Sequence, residues 1–395
     1  MQSVLEGYKV VDFSRIFAGP DAAQTLGDLG ADVIKIEDPG AGDGCRNLGV
    51  TDPAFAGFSP SFQSFNRNKR SLTLDLSNPE AREIAARLIS EADVVINNFR
   101  PGTMDRFGLG YEAMSGANPG LVYCNFQAFG DRGPLAHLGA NDLQLQAHSG
   151  LMSITGEPGG APARAGSAIV DLHASMALVA AIMSALLHRS KTGRGQLVST
   201  SLLQSSAHLM NYLYQEYWET GYVHSAMGTA NHLSVPNQAF PSANGWVIII
   251  APTDEMWRRC ATALDAPHLL GGPFETAPLR LSNRVALVAA LSEVTRSLTS
   301  QEIFERLGAV KVNVAIVQDI AAAANDPQIE AIGAMMHAEI DGRARRFIAP
   351  PFTLTETPPT LRRAAPRLGE HNEEILLQMG LTGEEILGLK ERGAI

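Results

Sequence analysis

The chain has 395 residues, of which 45% are hydrophobic and 18% are charged, and its formal net charge at pH 7 is −10. This length exceeds that of a usual single domain, so we expect two domains with separate hydrophobic cores. The acidic balance excludes a nucleic-acid backbone as a bulk partner, because binding to phosphates requires a basic face. The longest apolar runs, at 178–187 and 247–251, are shorter than the roughly 20 residues of a membrane-spanning helix, so no membrane segment is expected.

The three cysteines, Cys45, Cys124 and Cys260, form no Cys-x-x-Cys pair and are odd in number. They indicate reduced thiols rather than a disulfide or a zinc site. No positively charged segment followed by an apolar segment opens the chain, so secretion is not indicated. We therefore expect a cytoplasmic protein without a bound metal.

The first 130 residues alternate between apolar runs typical of buried strands and amphipathic helical patterns. The predicted strands cover 4–13, 33–37, 94–98 and 121–126, and the predicted helices cover 19–29 and 80–92. Such alternation predicts a mostly parallel sheet that carries helices on both faces. No Gly-x-Gly-x-x-Gly motif follows the first strand, so a dinucleotide site of the usual kind is not indicated.

Beyond residue 202 the sequence pattern changes character. It predicts a long aromatic-rich helix that ends near Gly221, a hairpin at 240–250, and helices near 256–264 and 301–307. The chain then returns through two prolines to a C-terminal helix that starts near Asn372. The predicted domains are a large one from 1–205 and 335–395 and a small one from 225–330, with linkers at 206–224 and 331–334.

A carboxylate stands at the start of the longest apolar helical pattern. Asp171 ends the stretch Pro-Ala-Arg-Ala-Gly-Ser-Ala-Ile-Val-Asp at 162–171 and precedes an alanine-rich run that reaches Arg189. A carboxylate at this place can accept hydrogen bonds from first-turn N–H groups, and the positive end of the helix dipole keeps it ionised. Its position alone leaves two interpretations open, a helix cap and a catalytic nucleophile.

Five sequence blocks resemble the signatures of the family III CoA-transferases. They are Asp-Phe-Ser-Arg-Ile-Phe-Ala-Gly-Pro at 12–20, Leu-Gly-Ala-Asp-Val-Ile-Lys-Ile-Glu at 29–37, Asn-Lys-Arg-Ser-Leu-Thr-Leu-Asp-Leu at 68–76, Asn-Phe-Arg-Pro-Gly at 98–102 and Ala-Pro-Arg-Leu-Gly-Glu-His at 365–371. The blocks fall in family order and span nearly the whole chain. The resemblance implies an α/β fold with a Rossmann-like large domain, a smaller α+β domain, and a homodimer of two interlocked protomers.

The resemblance also implies the reaction. Asp171 stands where the family has its catalytic aspartate, which attacks an acyl-CoA to give a mixed anhydride and then an enzyme-bound CoA thioester. Such a nucleophile must be ionised, and water must be excluded because anhydrides hydrolyse. CoA and carboxylic acids are then substrates, and no tightly bound cofactor is expected.

Six further residues match positions that contact CoA in the family. They are Arg106 toward a phosphate, Asn98 and Phe99 toward CoA, and Ile16, Ala18 and Leu74 toward the nucleotide end. Lys69 and Arg70 form a basic pair that could either meet a phosphate or face water. Asp38 stands where some relatives use an arginine toward CoA, so that contact is lost.

Departures from the family pattern bear on the substrate. Phe17 replaces a glutamine of the formyl-CoA transferases, which disfavours formyl-CoA and oxalate. The segment at 142–147 resembles members that use succinyl-CoA or other small dicarboxylyl donors, so we predict such a donor and a carboxylic acid acceptor. CoA transfer between two carboxyls of one acid uses the same chemistry.

Two alternatives stay open at this point. A 2-methylacyl-CoA racemase or epimerase would need proton-transfer groups, and Asn141 stands where the family's racemases have the histidine of a His-Asp pair. A protein that binds acyl-CoA without turnover would need no nucleophile at Asp171.

Overall fold

The computed structural model describes residues 3–49, 53, 57–340 and 342–395, which form two compact units. Unit 1 comprises Met1–Leu151, Ala165–Thr220 and Gln328–Ile395, and unit 2 comprises Met152–Arg164 and Gly221–Pro327. Contacts within the fold thus place Met152–Arg164 with unit 2, whereas the sequence-based boundaries put it in the large domain. The predicted domain boundaries stay a prediction.

A six-stranded parallel sheet forms the centre of unit 1, as the alternation of strands and helices predicted. Its strands are β1 (Lys9–Asp12), β2 (Asp32–Glu37), β3 (Lys69–Thr73), β4 (Val94–Asn97), β5 (Val122–Gln127) and β6 (Leu197–Ser201). The order across the sheet is β3-β2-β1-β4-β5-β6, so β1 pairs with both β2 and β4. In register, Val10 of β1 lies opposite Val33 on one side and Val94 on the other.

Among the described residues before Gly221, unit 1 has nine α-helices. They are α1 (Ala18–Asp28), α2 (Pro60–Phe65), α3 (Pro79–Ser90), α4 (Thr103–Arg106), α5 (Tyr111–Ala117), α6 (Asp142–His148), α7 (Ile169–Thr192), α8 (Leu202–Leu209) and α9 (Asn211–Thr220). The single long aromatic helix expected past residue 202 is two helices, because α8 ends at Leu209 and Met210 caps its C-terminus.

Unit 2 is built on a three-stranded antiparallel sheet with the order β7-β8-β9. Its strands are β7 (Asn237–Ser242), β8 (Gly245–Ile250) and β9 (Asn313–Ile316), and its helices are α10 (Asp254–Ala263), α11 (Ala277–Ser282), α12 (Arg284–Arg296), α13 (Ser300–Ala309) and α14 (Ile320–Ala323). The hairpin predicted at 240–250 is the β7–β8 pair. One core around the buried Trp257 and Phe240 holds these elements together.

The last elements are α15 (Pro327–Ala331), the antiparallel pair β10 (Met335–Ile340) and β11 (Arg343–Ile348), α16 (Asn372–Gln378) and α17 (Gly383–Glu391). Helix α16 packs beside β3, where the side-chain amide of Asn372 donates to the Thr73 hydroxyl at 2.7 Å, and α17 packs against α16. The helix predicted to begin near Asn372 therefore completes unit 1 from the far end of the chain.

Separate hydrophobic cores cover the two faces of the parallel sheet. On one face α1 and α7 pack against β1, β2, β4 and β5, for example through Leu26, Leu178 and Val33. On the other face α3, α16 and α17 pack around Val95 and Leu376. Helices on both faces explain why β4, for example, is a run of apolar residues rather than an alternating pattern.

Helix α7 has 24 residues and is long and apolar enough to cross a membrane by length and composition, which the length of uninterrupted apolar runs failed to predict. The core helix of a soluble protein satisfies the same criterion. Of its most apolar 18-residue window, 44% is buried inside the protein, and its buried side chains belong to the core shared with α1.

Candidate active site

The site lies where the strand order of the parallel sheet reverses, between β1 and β4. Loops that leave the carboxyl ends of two such strands diverge, and the crevice between them is the usual ligand position in open α/β sheets. Here Arg15 and Phe17 follow β1, and Asn98 and Phe99 follow β4. Together with Asp171 from α7 they line a cavity of about 160 Å³, called the first cavity below.

Ile16 shapes the wall of this cavity through an uncommon backbone conformation. Its φ is +73°, in the left-handed region that β-branched residues rarely adopt. The Ile16 N–H donates to a carboxylate oxygen of Asp43 at 3.0 Å, and that buried carboxylate pairs with the Lys35 ammonium at 2.9 Å. Burial raises the pKa of Asp43, but the Lys35 charge and the hydrogen bonds from Lys35, Cys45 and Ile16 together hold this pKa below its ordinary value. An ionised pair under the loop therefore maintains the strained residue.

Asn98 fixes the neighbouring residue of the same loop. Its side-chain oxygen accepts the Arg15 N–H at 2.9 Å, and its side-chain NH₂ donates to the Arg15 carbonyl at 2.8 Å. The side chain is thus committed to the protein backbone, although its residue still lines the first cavity. Phe99, the next residue, lies under the Arg15 guanidinium, 5.1 Å from the ring centre.

Asp171 is the third residue of α7 rather than its cap, and Ala168 occupies the cap position. The Val170 and Asp171 N–H groups donate to a carboxylate oxygen of Asp142, at 2.8 and 3.2 Å. The prediction that first-turn N–H groups would bind the Asp171 carboxylate is therefore wrong, since Asp142 takes them. Among the described residues, nothing donates a hydrogen bond to the Asp171 carboxylate, which leaves its oxygens available to a ligand.

The environment of Asp171 favours the protonated carboxyl. Burial, and secondarily the Asp142 carboxylate, raise the pKa of Asp171 from its ordinary value of 3.8 to about 7. The expectation that the helix dipole would keep it fully ionised therefore fails near neutral pH. A carboxylate with this pKa is poorly solvated, and a poorly solvated anion is a stronger nucleophile than one in water.

A second cavity of about 320 Å³ continues from the same loops toward β2 and β3. Leu74 lies in its wall with Thr103 and Phe107, and Arg15 and Phe99 line both cavities. Of the residues predicted from the sequence, the structure brings Ile16, Ala18, Asn98, Phe99 and Asp171 together at the first cavity and Leu74 at the second. Arg106 lines neither and donates to the Thr103 hydroxyl at 3.1 Å.

The basic pair at 69–70 does not serve an external phosphate. Lys69 is fully buried and donates to Asp12 at 2.9 Å, while Arg70 pairs with Asp32 and Glu374. The sequence alone did not assign a role to these two residues. Their role is to form ion pairs with carboxylates that lie far away in the chain.

Three residues of the site were missed from the sequence, namely Asp142, Asp43 and Arg15. Asn141-Asp142 ahead of an apolar segment was a recognisable helix start, and Asn141 does form a capping box with Gln144. Nothing in the sequence linked Asp142 to α7, because 28 residues separate it from the Val170 N–H it accepts.

The geometry defines an α/β protein with a desolvated carboxylate in the crevice of its parallel sheet. The family model described as CoA-transferase family III matches residues 5–372. The chain is 32% identical to the succinate–glutarate CoA-transferase of Agrobacterium fabrum, over 95% of each chain. It is 35% identical to the succinyl-CoA:mesaconate CoA-transferase of Haloarcula marismortui, over 95% of this chain and 96% of that protein.

A crystal structure of a CaiB/BaiF family protein from Brucella suis superposes with a TM-score of 0.87 at 33% identity, covering 96% of this chain and all of that one. The chain belongs to CoA-transferase family III and is an enzyme of the CoA-transferase class. The family and the enzyme class predicted from the sequence are confirmed.

Proposed function

We propose that the protein transfers CoA from succinyl-CoA to a small dicarboxylic acid through covalent intermediates on Asp171. The observation that carries this proposal is the Asp171 carboxylate, desolvated and without a hydrogen-bond donor among the described residues, in the wall of the first cavity. The names of the relatives from Agrobacterium and Haloarcula support succinyl-CoA as donor and a dicarboxylate such as glutarate or mesaconate as acceptor.

In the first half-reaction an Asp171 oxygen attacks the thioester carbonyl of succinyl-CoA. The carbon–sulfur bond breaks and gives a mixed succinyl-aspartyl anhydride and the CoA thiolate. The thiolate then attacks the Asp171 carbonyl carbon, which forms an aspartyl-CoA thioester and releases succinate. The acceptor carboxylate repeats these two steps in the opposite direction and leaves with CoA. One thioester replaces another, so no ATP is needed.

Asp142 supports this chemistry in two ways. It accepts both N–H groups at the start of α7 and so holds the backbone that carries the nucleophile. Its negative charge also raises the pKa of Asp171, because a second anion nearby disfavours ionisation. Gln146 donates to the other oxygen of Asp142 at 2.5 Å and keeps that carboxylate oriented.

CoA is expected to run from the first cavity to the second. Asn98 and Phe99 would surround the thioester side and Leu74 the nucleotide side, while Arg106 would act from outside both cavities. The resemblance placed Ile16 and Ala18 toward the nucleotide end, but both line the first cavity with Asp171, which favours a place on the thioester side. The strand order with its reversal between β1 and β4 supports a Rossmann-like description of this domain.

Mass spectrometry after incubation with succinyl-CoA tests the mechanism. The native enzyme should form a CoA adduct on the peptide that contains Asp171, and hydroxylamine should convert it to a hydroxamate. Asp171→Asn should show no adduct and no transfer to glutarate, whereas the surface variant Asp131→Asn should behave as the native enzyme. Transfer that persists in Asp171→Asn would overturn the proposal.

A racemase would behave differently in the same samples. It would incorporate solvent deuterium at the α-carbon of a 2-methylacyl-CoA and would transfer no CoA to glutarate. The Asn141 side chain caps the N-terminus of α6, which gives no support to a proton-transfer role at that position.

A homodimer and a cytoplasmic location complete the proposal. Exposed aromatic side chains on α9, among them Tyr212 and Trp218 at 67% and 69% exposure, support a contact with a second protein surface. Light scattering on the purified protein would give the mass of a dimer, and a monomer mass at micromolar concentration would contradict it.

A further inference from the structure

Of the residues that the structure describes, Arg15 and Phe99 line both cavities of the site. The first cavity contains Asp171, where the thioester of an acyl-CoA would react. The second is larger and has Leu74 and Phe107 in its wall, which suits a flat base and a ribose. In a CoA molecule the pyrophosphate stands between adenosine and the pantetheine arm, so it would fall at the junction of the two cavities.

The Arg15 side chain is exposed and available at that junction. In the part of the chain that the structure describes, its guanidinium forms no ion pair or hydrogen bond and only lies over the Phe99 ring. Its backbone is held firmly, by both amide atoms of Asn98 and by the hydrogen bond from Ile16 to Asp43. A cation on a rigid base can meet an anion with little loss of backbone entropy.

The charges around the second cavity direct phosphates toward Arg15. Its wall includes the carboxylates of Glu37, Asp38 and Asp75, and among the described residues Arg15 is the one basic residue in that wall. Arg46 neutralises Glu37. In the described part of the chain, the Asp38 carboxylate accepts hydrogen bonds only from the Gly40 and Ala41 N–H groups, and the Asp75 carboxylate only from Ser77. Carboxylates can accept hydrogen bonds from ribose hydroxyls and repel phosphates, so the phosphates should stay at the cationic end.

We propose that Arg15 binds the pyrophosphate of the CoA donor, and this inference rests on CoA as the substrate of the proposed function. The planar guanidinium presents paired N–H donors to phosphate oxygens, and Phe99 keeps its face stacked while its edge stays free. Arg15 acts in substrate binding and not in the chemical step, which takes place at Asp171.

Three succinyl thioesters separate this role from the alternatives. They are the thioesters of CoA, of dephospho-CoA, which lacks only the 3′-phosphate, and of pantetheine, which lacks all phosphates. For Arg15→Met we expect KM to rise about 10- to 100-fold for the first two donors, since a hydrogen bond to a charged group is lost, with kcat nearly unchanged. With the pantetheine thioester, kcat/KM should equal that of the native enzyme. Arg15→Lys should recover part of the loss, and the exposed Arg132→Met should lose nothing.

Each contrary result has a defined meaning. A penalty that disappears with dephospho-CoA would assign Arg15 to the 3′-phosphate and overturn the proposal. A penalty that persists with the pantetheine thioester would show that the substitution damages the loop itself. If the native enzyme turned over none of the thioesters, the proposed function would fail, while calorimetric binding of CoA and dephospho-CoA to native and Arg15→Met protein would still test Arg15.

Discussion

Asp142→Asn should move the acid limb of the pH profile to lower pH. The mechanism needs an ionised Asp171, so kcat/KM for succinyl-CoA in the native enzyme should fall below about pH 7, the pKa of this carboxyl in the free enzyme. Asparagine keeps an oxygen that can accept the Val170 and Asp171 N–H groups, but it removes the negative charge. The nucleophile should then ionise more easily.

The size of this shift is bounded by the causes of the raised pKa. Burial is the larger cause and Asp142 the smaller one, so Asp142 accounts for less than half of the rise from 3.8 to about 7. Burial is unchanged in the variant, so only the share of the rise due to Asp142 is removed. The acid limb should therefore move down by at most about 1.5 pH units, each of which corresponds to about 1.4 kcal/mol. At pH 8 the two enzymes should differ little in the ionisation of Asp171.

The assay follows initial rates of CoA transfer to glutarate between pH 5 and 9 at low donor concentration. Titration of the substrates affects native and variant profiles equally, so the difference between the two reports the enzyme. Asp131→Asn removes one surface charge and should leave the limb in place. An Asp142→Asn limb at the native pH, or above it, would refute the electrostatic role of Asp142.

Three further predictions concern stability. The folded-state pKa of Asp171 lies above its unfolded value, so the native protein loses stability relative to Asp171→Asn as pH rises from 3.8 through about 7. In urea unfolding, the difference in free energy of unfolding between the two proteins should change by about 4 kcal/mol at most between pH 4 and pH 8. A difference that does not depend on pH would contradict this prediction. Ile16→Gly should be more stable than Ile16→Ala by about 1 kcal/mol in the same assay, since glycine alone adopts φ near +73° without strain. Equal stabilities of the two variants would show that the backbone at this position is not strained. Lys69→Met should cost about 3 kcal/mol or more because it leaves Asp12 buried without its cation, and adding Asp12→Asn should recover part of that loss; a loss below 1 kcal/mol would contradict the pairing.

The sequence predicted the elements whose signal is local. Strands β4 and β5 are largely apolar because both faces of the sheet are covered, and α3 is amphipathic because one side faces solvent. The edge strand β6 was missed, since Leu-Val-Ser-Thr-Ser is mostly polar and partly exposed. Strand β1 is shorter than predicted because a turn with Gly7 at φ +86° precedes it.

The residues of the candidate site likewise divide into those with a local sequence signal and those placed by tertiary contacts. Asp171 and the loop residues at the ends of β1 and β4 stand in blocks that can be recognised from the chain alone. The capture of the α7 amides by Asp142 is a tertiary contact, and no periodicity or spacing relates a carboxylate on α6 to a helix that begins 27 residues later. The sequence therefore allowed Asp171 to be interpreted as the cap of α7, although the first-turn N–H groups of α7 are already bonded to Asp142.

The basic residues of the N-terminal blocks illustrate why charge alone could not locate an anion site. Lys35 pairs with Asp43, and Lys69 pairs with Asp12. Arg70 pairs with Asp32 and Glu374, so none of these cations is available to a ligand. Arg15 stands in the same blocks, but it is exposed and lies over an aromatic ring where the others contact a carboxylate. Only the fold shows which cations are already neutralised and which remain available to an anionic substrate.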